Sequence, residues 1–211
     1  MTKTTKLEKA IELATNLHKG QYRKSGEEYI THPIAVMEIL QKYGFNEELL
    51  ISAVLHDVCE DTRVNNIEIK SLFGSRVGFI LNALTKNQKP QRNTNSKNEF
   101  QKINSLSNSY KSFDEYINYR LYLYVNRLSV GIIAEPGIMI IKIADQIHNL
   151  STMKAFSQEK KLRKIEELEV HFLPIYHTYK SKVTENDQKK FQLLLTELEQ
   201  TVGSIKLSTT K

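Results

Sequence analysis

Apolar side chains recur at intervals of three and four along most of this chain, the spacing that lines one face of a helix. Leu7, Ala10, Ile11, Ala14 and Leu17 predict a first helix, with Gly20 as its stop. "THPIAVMEILQKYG" predicts a second, with Pro33 in the first turn, where its missing N–H has no partner to lose, and Gly44 at the far end. "NEELLISAVLHDV" predicts a third, capped by Asn46, and "NNIEIKSLFG" and "RVGFILNALTK" a fourth and a fifth. Ser112 and Glu115 have capping-box spacing ahead of "FDEYINYRLYLYVNRL". "GIMIIKIADQIHNLSTM" follows "EPG" and is strongly apolar. Its "IMIIKI" run is short enough to be a strand, but its helical neighbours favour a helix. Two or three polar-faced helices over 158–205 complete the C-terminal third. No alternating ladder and no βαβ pattern occurs, so the expected fold is all-α, one helical bundle over residues 1–211.

Residues 87–111, "NQKPQRNTNSKNEFQKINSLSNSYK", break the pattern. They are rich in Asn, Ser and Lys and carry few core candidates. They read as a flexible surface insert, with a lid beside a substrate as the functional alternative.

Composition narrows the class. The 211 residues are 40% hydrophobic and 26% charged, ordinary for a globular protein with a sizeable core. The net charge of +6 admits nucleic acid, an anionic membrane or an anionic small substrate. The lysines are scattered, no arginine tract or nucleic-acid motif occurs, and no apolar run is long enough to span a bilayer. The expected partner is a small molecule, with neither nucleic acid nor membrane, and homo-oligomerisation left open. Cys59 is the single cysteine, so no internal disulfide forms, and the N-terminus lacks the apolar core of a signal peptide. A cytoplasmic location is the expectation.

The chemistry concentrates in "AVLHDVCEDT", residues 53–62. His56, Asp57, Glu60 and Asp61 follow core residues directly. In a continuous helix His56 shares a face with Glu60, and Asp57 with Asp61. Burying an unpaired carboxylate is very costly, so either these side chains reach solvent or a cation holds them. Two ligands do not make a site. His32, at a helix start, and Asp145, among Ile140, Ile141, Ile143 and Ala144, are the further candidates. Taken singly, His32 reads as a cap or surface residue, and Asp145 as the partner of a buried cation such as Lys142. Together they form a mixed N/O set that suits Mn, Fe, Co or Zn better than Mg or Ca.

The same residues carry a resemblance. His32, then His56-Asp57, then Asp145 resembles the HD superfamily of metal-dependent phosphohydrolases. The wording between them is narrower: "HKGQYRKSGEEYITHP", "AVLHDVCEDT" with "FG" at 73–74, "LTK" at 84–86, and "IKIADQIHNLST". This resembles the hydrolase domain of RelA/SpoT homologues over about residues 5–155. The C-terminal third holds only helical patterns, so the chain is similar to the single-domain small alarmone hydrolases. The resemblance implies removal of the 3′-pyrophosphate from (p)ppGpp, without synthesis of it.

It also implies roles. His32, His56, Asp57 and Asp145 would bind one Mn²⁺ per chain. Glu60 and Asp61 match the family's acidic pair and would orient water and handle its proton. Arg23, Lys24 and Ser25 lie in a glycine-containing turn that reads as an anion cradle or a basic surface turn, and the family's matching Arg and Lys meet the base and phosphates. Asn149 would reach ribose and Thr152 the base. Lys142 and Lys86 are further phosphate candidates, His148 a structural neighbour, and Tyr176 and Tyr179 either core or nucleotide contacts. Gln146 and Ser151 depart from the family's "ADRLHNMRT", where both are arginine. That departure keeps other substrates in view, (p)ppApp or a 2′/3′-phosphorylated nucleotide such as NADPH. A protein of another class, an inactive nucleotide- or partner-binding module, is the remaining alternative.

Overall fold

Helix starts in this chain are written in short polar side chains. Thr5, Asn46, Asn65, Ser112 and Ser157 each accept a hydrogen bond from a first-turn N–H that has no partner within its helix. The structure, a computed structural model, describes residues 4–85, 94–107 and 109–209. Twelve α-helices run through them in chain order: α1 Lys6–Leu17, α2 Thr31–Lys42, α3 Glu47–Leu55, α4 Val58–Asp61, α5 Asn66–Phe73, α6 Ser75–Leu84, α7 Thr94–Ser107, α8 Phe113–Ala134, α9 Gly137–Ser151, α10 Gln158–Glu167, α11 Leu173–Tyr179 and α12 Glu185–Thr209. A five-residue π-helical turn, Leu168–Phe172, joins α10 to α11. No strand occurs among the described residues, beyond one isolated bridge between Tyr22 and Glu28. The all-α fold is borne out, and "IMIIKI" is helix.

α9 lies at the centre. It packs against α2, α3, α6, α8 and α12, and eleven of its fifteen residues are buried. α3 is nearly as enclosed, with Leu49 to Leu55 all buried. Burying an Ile or Leu side chain stabilises by about 1.5–3 kcal/mol. The five isoleucines of α9 therefore fix its position strongly enough to carry a charged residue into the core. Gly137 lets α9 start against α3, because a Cβ there would meet Leu49 Cδ2 at 2.6 Å.

Two expectations need correction. Residues 94–107 form helix α7 instead of a loop. Few apolar residues suffice because Phe100 stacks edge-on to Phe113, 5.7 Å between centroids, and lies 5.7 Å from Tyr116 on α8. The Asn104 side chain also bonds both ways to the Tyr110 backbone, at 2.9 and 2.8 Å. Residues 87–93, and the phosphate candidate Lys86, lie outside the described residues. At α8, Ser112 accepts from Glu115 N–H as expected, but the Glu115 carboxylate reaches Lys111 N–H at 2.6 Å, one residue earlier than a capping box requires. Among the described residues no helix is long and apolar enough to cross a membrane.

Candidate metal centre

A third correction is local and makes the site. The helix through "AVLHDVCEDT" is not continuous: α3 ends at Leu55, His56 and Asp57 form a turn, and α4 begins at Val58. Adjacent side chains on a regular helix diverge by about 100°. Across this turn His56 Nε2 nevertheless comes to 3.2 Å from Asp57 Oδ2. Beyond the turn the helical course resumes, with Asp61 N–H donating to the Asp57 carbonyl at 2.9 Å.

His32, in the first turn of α2, and Asp145, on buried α9, join them. His32 Nε2 lies 3.2 Å from Asp145 Oδ1 and 3.7 Å from Asp57 Oδ2, and His56 Nε2 lies 3.9 Å from Asp145 Oδ1. Ligand atoms of His32, His56 and Asp57 all fall within 4.8 Å of one another. All four residues are buried. Donors that share an ion at about 2.0–2.2 Å stand roughly 3–4.4 Å apart, so these spacings fit a common cation. The His56 ring supports the same reading. Its Nδ1–H donates to the Ala53 carbonyl at 2.7 Å, which leaves a buried Nε2 without a hydrogen-bond partner facing the carboxylates.

The surround orients each ligand. Tyr29 O–H donates to Asp57 Oδ2 at 2.7 Å. His32 Nδ1 lies 2.7 Å from His148 Nδ1. Burial first, then the charges of His32 and Arg23, lower His148 to about 4, so it is neutral and can accept from His32 Nδ1–H. That leaves the lone pair of His32 on Nε2, which faces Asp145 and Asp57. Asp145 Oδ2 accepts from Lys142 Nζ at 2.6 Å, and Asp145 Oδ1 from Asn149 Nδ2 at 2.5 Å. Burial alone would push the Asp145 carboxyl up, but the Lys142 charge and the His32 hydrogen bond hold it well below the usual carboxylate range. Burial likewise would push His56 down, and the neighbouring carboxylates, Asp57 first and then Asp145, together outweigh it.

Arg23, Lys24 and Ser25 sit in a turn closed by Arg23 N–H to Glu27 C=O, 2.8 Å, with Gly26 at φ +92°. Gly26 supplies the left-handed conformation that side-chain-bearing residues resist. Arg23 Nη2 reaches Thr152 Oγ1 at 3.2 Å and Asn149 Oδ1 at 3.4 Å. Arg23, Asn149 and Thr152 are thus brought together, and Asn149 links them to Asp145. Lys24 and Ser25 are exposed on the turn. Lys142 is buried, its ammonium on Asp145. Glu60 and Asp61 follow in α4, and burial and the Asp57 charge raise the Asp61 carboxyl.

Sequence reasoning missed Tyr29, although it stands three residues before His32. It also missed the cations of α10. Lys160 is lowered by burial and then by the charges of Lys24, Arg163 and Lys164, which places a positive field beside the turn. Gln146 accepts from Tyr176 O–H at 2.7 Å, so Tyr176 is core and Gln146 faces it. Ser151 O–H donates to the His148 carbonyl. Neither departure from the family's arginines touches the metal-type residues. Cys59 is half-buried against the core, as a small apolar substitute would be.

A family model described as HD domain matches residues 10–177. The chain is 31% identical over 171 residues to a GTP pyrophosphokinase of Streptomyces antibioticus, covering 81% of this chain and 18% of that one. It is 31% identical over 171 residues to a guanosine-3′,5′-bis(diphosphate) 3′-pyrophosphohydrolase of Aquifex aeolicus, covering 81% and 21%. The chain thus spans about a fifth of the length of such relatives. A solved structure described as a metazoan orthologue of SpoT that hydrolyses ppGpp superposes with a TM-score of 0.62 at 19% identity, over 93% of this chain and 97% of that one, a likeness of fold.

Proposed function

Since the chain belongs to the HD domain family, we propose that it is a Mn²⁺-dependent hydrolase that removes the 3′-pyrophosphate from (p)ppGpp, giving GDP or GTP and pyrophosphate. The observation that carries the reading is the convergence of His32 from α2, His56 and Asp57 from the α3–α4 turn and Asp145 from α9, with Glu60 and Asp61 directly after. The names of relatives such as the Aquifex aeolicus 3′-pyrophosphohydrolase support the substrate.

His32, His56, Asp57 and Asp145 would hold the ion. When bound, a divalent cation there supplies Lewis acidity at the phosphoryl group and a more acidic water. The remaining work falls to the chain's own groups. Water attacks the 3′-phosphorus and the bond to the ribose 3′-oxygen breaks. Glu60 and Asp61 take the proton from water and return one to the leaving oxygen. Burial and the Asp57 charge raise the Asp61 carboxyl, which suits it to take up a proton. Arg23, held by Asn149 and Thr152 at the half-buried edge of the site, offers a planar face to the base or a fork to phosphate. Lys24 and Ser25 on the turn, with Lys160, Arg163 and Lys164 on α10, attract a substrate of high negative charge. Lys142 acts through Asp145.

The test is a substrate panel on EDTA-stripped protein with and without Mn²⁺, following products from ppGpp, pppGpp, ppApp and NADPH. Mn²⁺-dependent release of pyrophosphate from ppGpp is expected. Preference for ppApp or NADPH keeps the site chemistry and refutes the substrate. Glu60→Gln combined with Asp61→Asn should lower turnover by about 10²–10⁴-fold with metal still bound. A double variant as active as the parent refutes the role of the acidic pair, and no turnover of any nucleotide refutes the enzyme.

A further inference from the structure

Helix α8 is apolar on two opposite faces. Tyr124, Val125, Leu128, Gly131 and Ile132 are buried against the bundle. Tyr119, Tyr122, Leu123, Val130 and Ile133 are exposed, Val130 by 69% and Tyr122 by 56%. At about 100° per residue, these five and the exposed Asn126 fall in a single stripe about 100° wide, directly opposite the buried face. A surface helix packed on one side ordinarily turns charge outward, so a continuous apolar stripe marks a face that something covers.

The order of residues in the stripe says what covers it. Tyr119 and Ile133 stand seven residues either side of Asn126, and Tyr122 and Val130 stand four either side. An antiparallel pair of identical helices related by a two-fold axis through Asn126 sets Tyr119 against Ile133 and Tyr122 against Val130, twice over. Isologous contacts need this self-complementarity, and a stripe for a foreign partner does not. Asn126 would meet its own copy on the axis, where a polar seam residue fixes register. A parallel pair would instead bring the acidic first turns, Asp114 and Glu115, of both copies together at like-signed helix ends. With side chains of about 150–250 Å² for the aromatics, the stripe presents on the order of 500 Å² of apolar surface per copy. Two copies with their rims approach roughly 1,200 Å², the lower size of a specific interface.

We propose that α8 is the dimerisation helix of this protein, pairing antiparallel with α8 of a second copy about Asn126. The inference is independent of the substrate. The purified full chain is examined by sedimentation equilibrium and light scattering from about 1 to about 100 µM. A dimer is expected, and Val130→Glu should raise its dissociation constant about 100-fold or more while the circular dichroism spectrum stays that of the parent. Cross-linking tests geometry without disturbing the fold. In a Cys59→Ala background, Asn126→Cys should form an intermolecular disulfide under mild oxidation. Tyr119→Cys alone should not, but Tyr119→Cys mixed with Ile133→Cys should. A monomer at the highest concentration overturns the proposal, as does a dimer indifferent to Val130→Glu. Self-cross-linking of Tyr119→Cys overturns the antiparallel arrangement.

Discussion

Replacing Lys142 by methionine removes a buried charge while keeping the length of the side chain. Lys142 Nζ lies 2.6 Å from Asp145 Oδ2, with the two side chains 9% and 6% exposed. Solvent cannot take over from the ammonium at such burial, so Asp145 loses its one full cationic partner and keeps only Asn149 and the neighbouring histidines when no metal is bound. Breaking a buried ion pair from one side costs about 3–5 kcal/mol. For a chain of this size about 2–4 °C accompanies each kcal/mol, so the EDTA-stripped variant should melt roughly 6–20 °C below the parent. A divalent cation beside Asp145 restores the missing charge, so the loss in Mn²⁺-loaded protein should be less than half as large. The sign with pH follows from the direction of the shift. Asp145 is depressed in the parent, so its stabilisation is present above the unfolded carboxyl value, about 3.9, and is lost as pH falls through the folded value. Without Lys142 the carboxyl moves up, and its penalty is relieved by protonation as pH falls. The gap between variant and parent in the stripped state should therefore narrow on acidification. Thermal unfolding by circular dichroism, with and without Mn²⁺, at several pH values, reads all three effects. An equal loss with and without metal, or a gap that widens in acid, refutes the pairing as the reason Asp145 is tolerated in α9.

Three further outcomes are open to measurement. Tyr29→Phe, which removes the O–H that bonds Asp57 Oδ2, should weaken Mn²⁺ binding about 10–100-fold in calorimetric titration with Tm of the stripped protein little changed. Gly137→Ala, which forces a Cβ to within 2.6 Å of Leu49 Cδ2, should lower stability by about 1–3 kcal/mol in urea denaturation. Glu197, on α12, is depressed because the hydrogen bonds from Lys42 and Tyr43 outweigh burial, so it stabilises above the unfolded carboxyl value and that contribution is lost as pH falls through the folded one. Glu197→Gln should flatten the acid limb of the stability curve by up to about 1 kcal/mol, the pair being partly exposed.

Helices were legible wherever apolar spacing and a polar cap agreed, as at Asn46, because both signals are local. Helix α7 was not, because Phe100 earns its place only through Phe113 and Tyr116, partners that helical periodicity cannot reveal. The four metal-type residues were legible as types and order. The turn at His56 and Asp57, across which adjacent side chains meet, was not, since both residues fit a helical pattern. Tyr29 and the α10 cations escaped for the same reason as α7: their meaning lies in what the fold sets beside them.

Asp145 and His32 are 113 positions apart, and Arg23 and Thr152 129 apart, yet each pair meets within one site. The centre is therefore a closure of most of the chain, with α2, the end of α3 and α9 as its three corners. Nothing shorter than the stretch from the Arg23 turn to the end of α9 contains all of it. A cation bound there ties the first third of the chain to its central helix. Metal occupancy then reports completion of the topology, and a chelator should loosen contacts between distant segments before it loosens any individual helix.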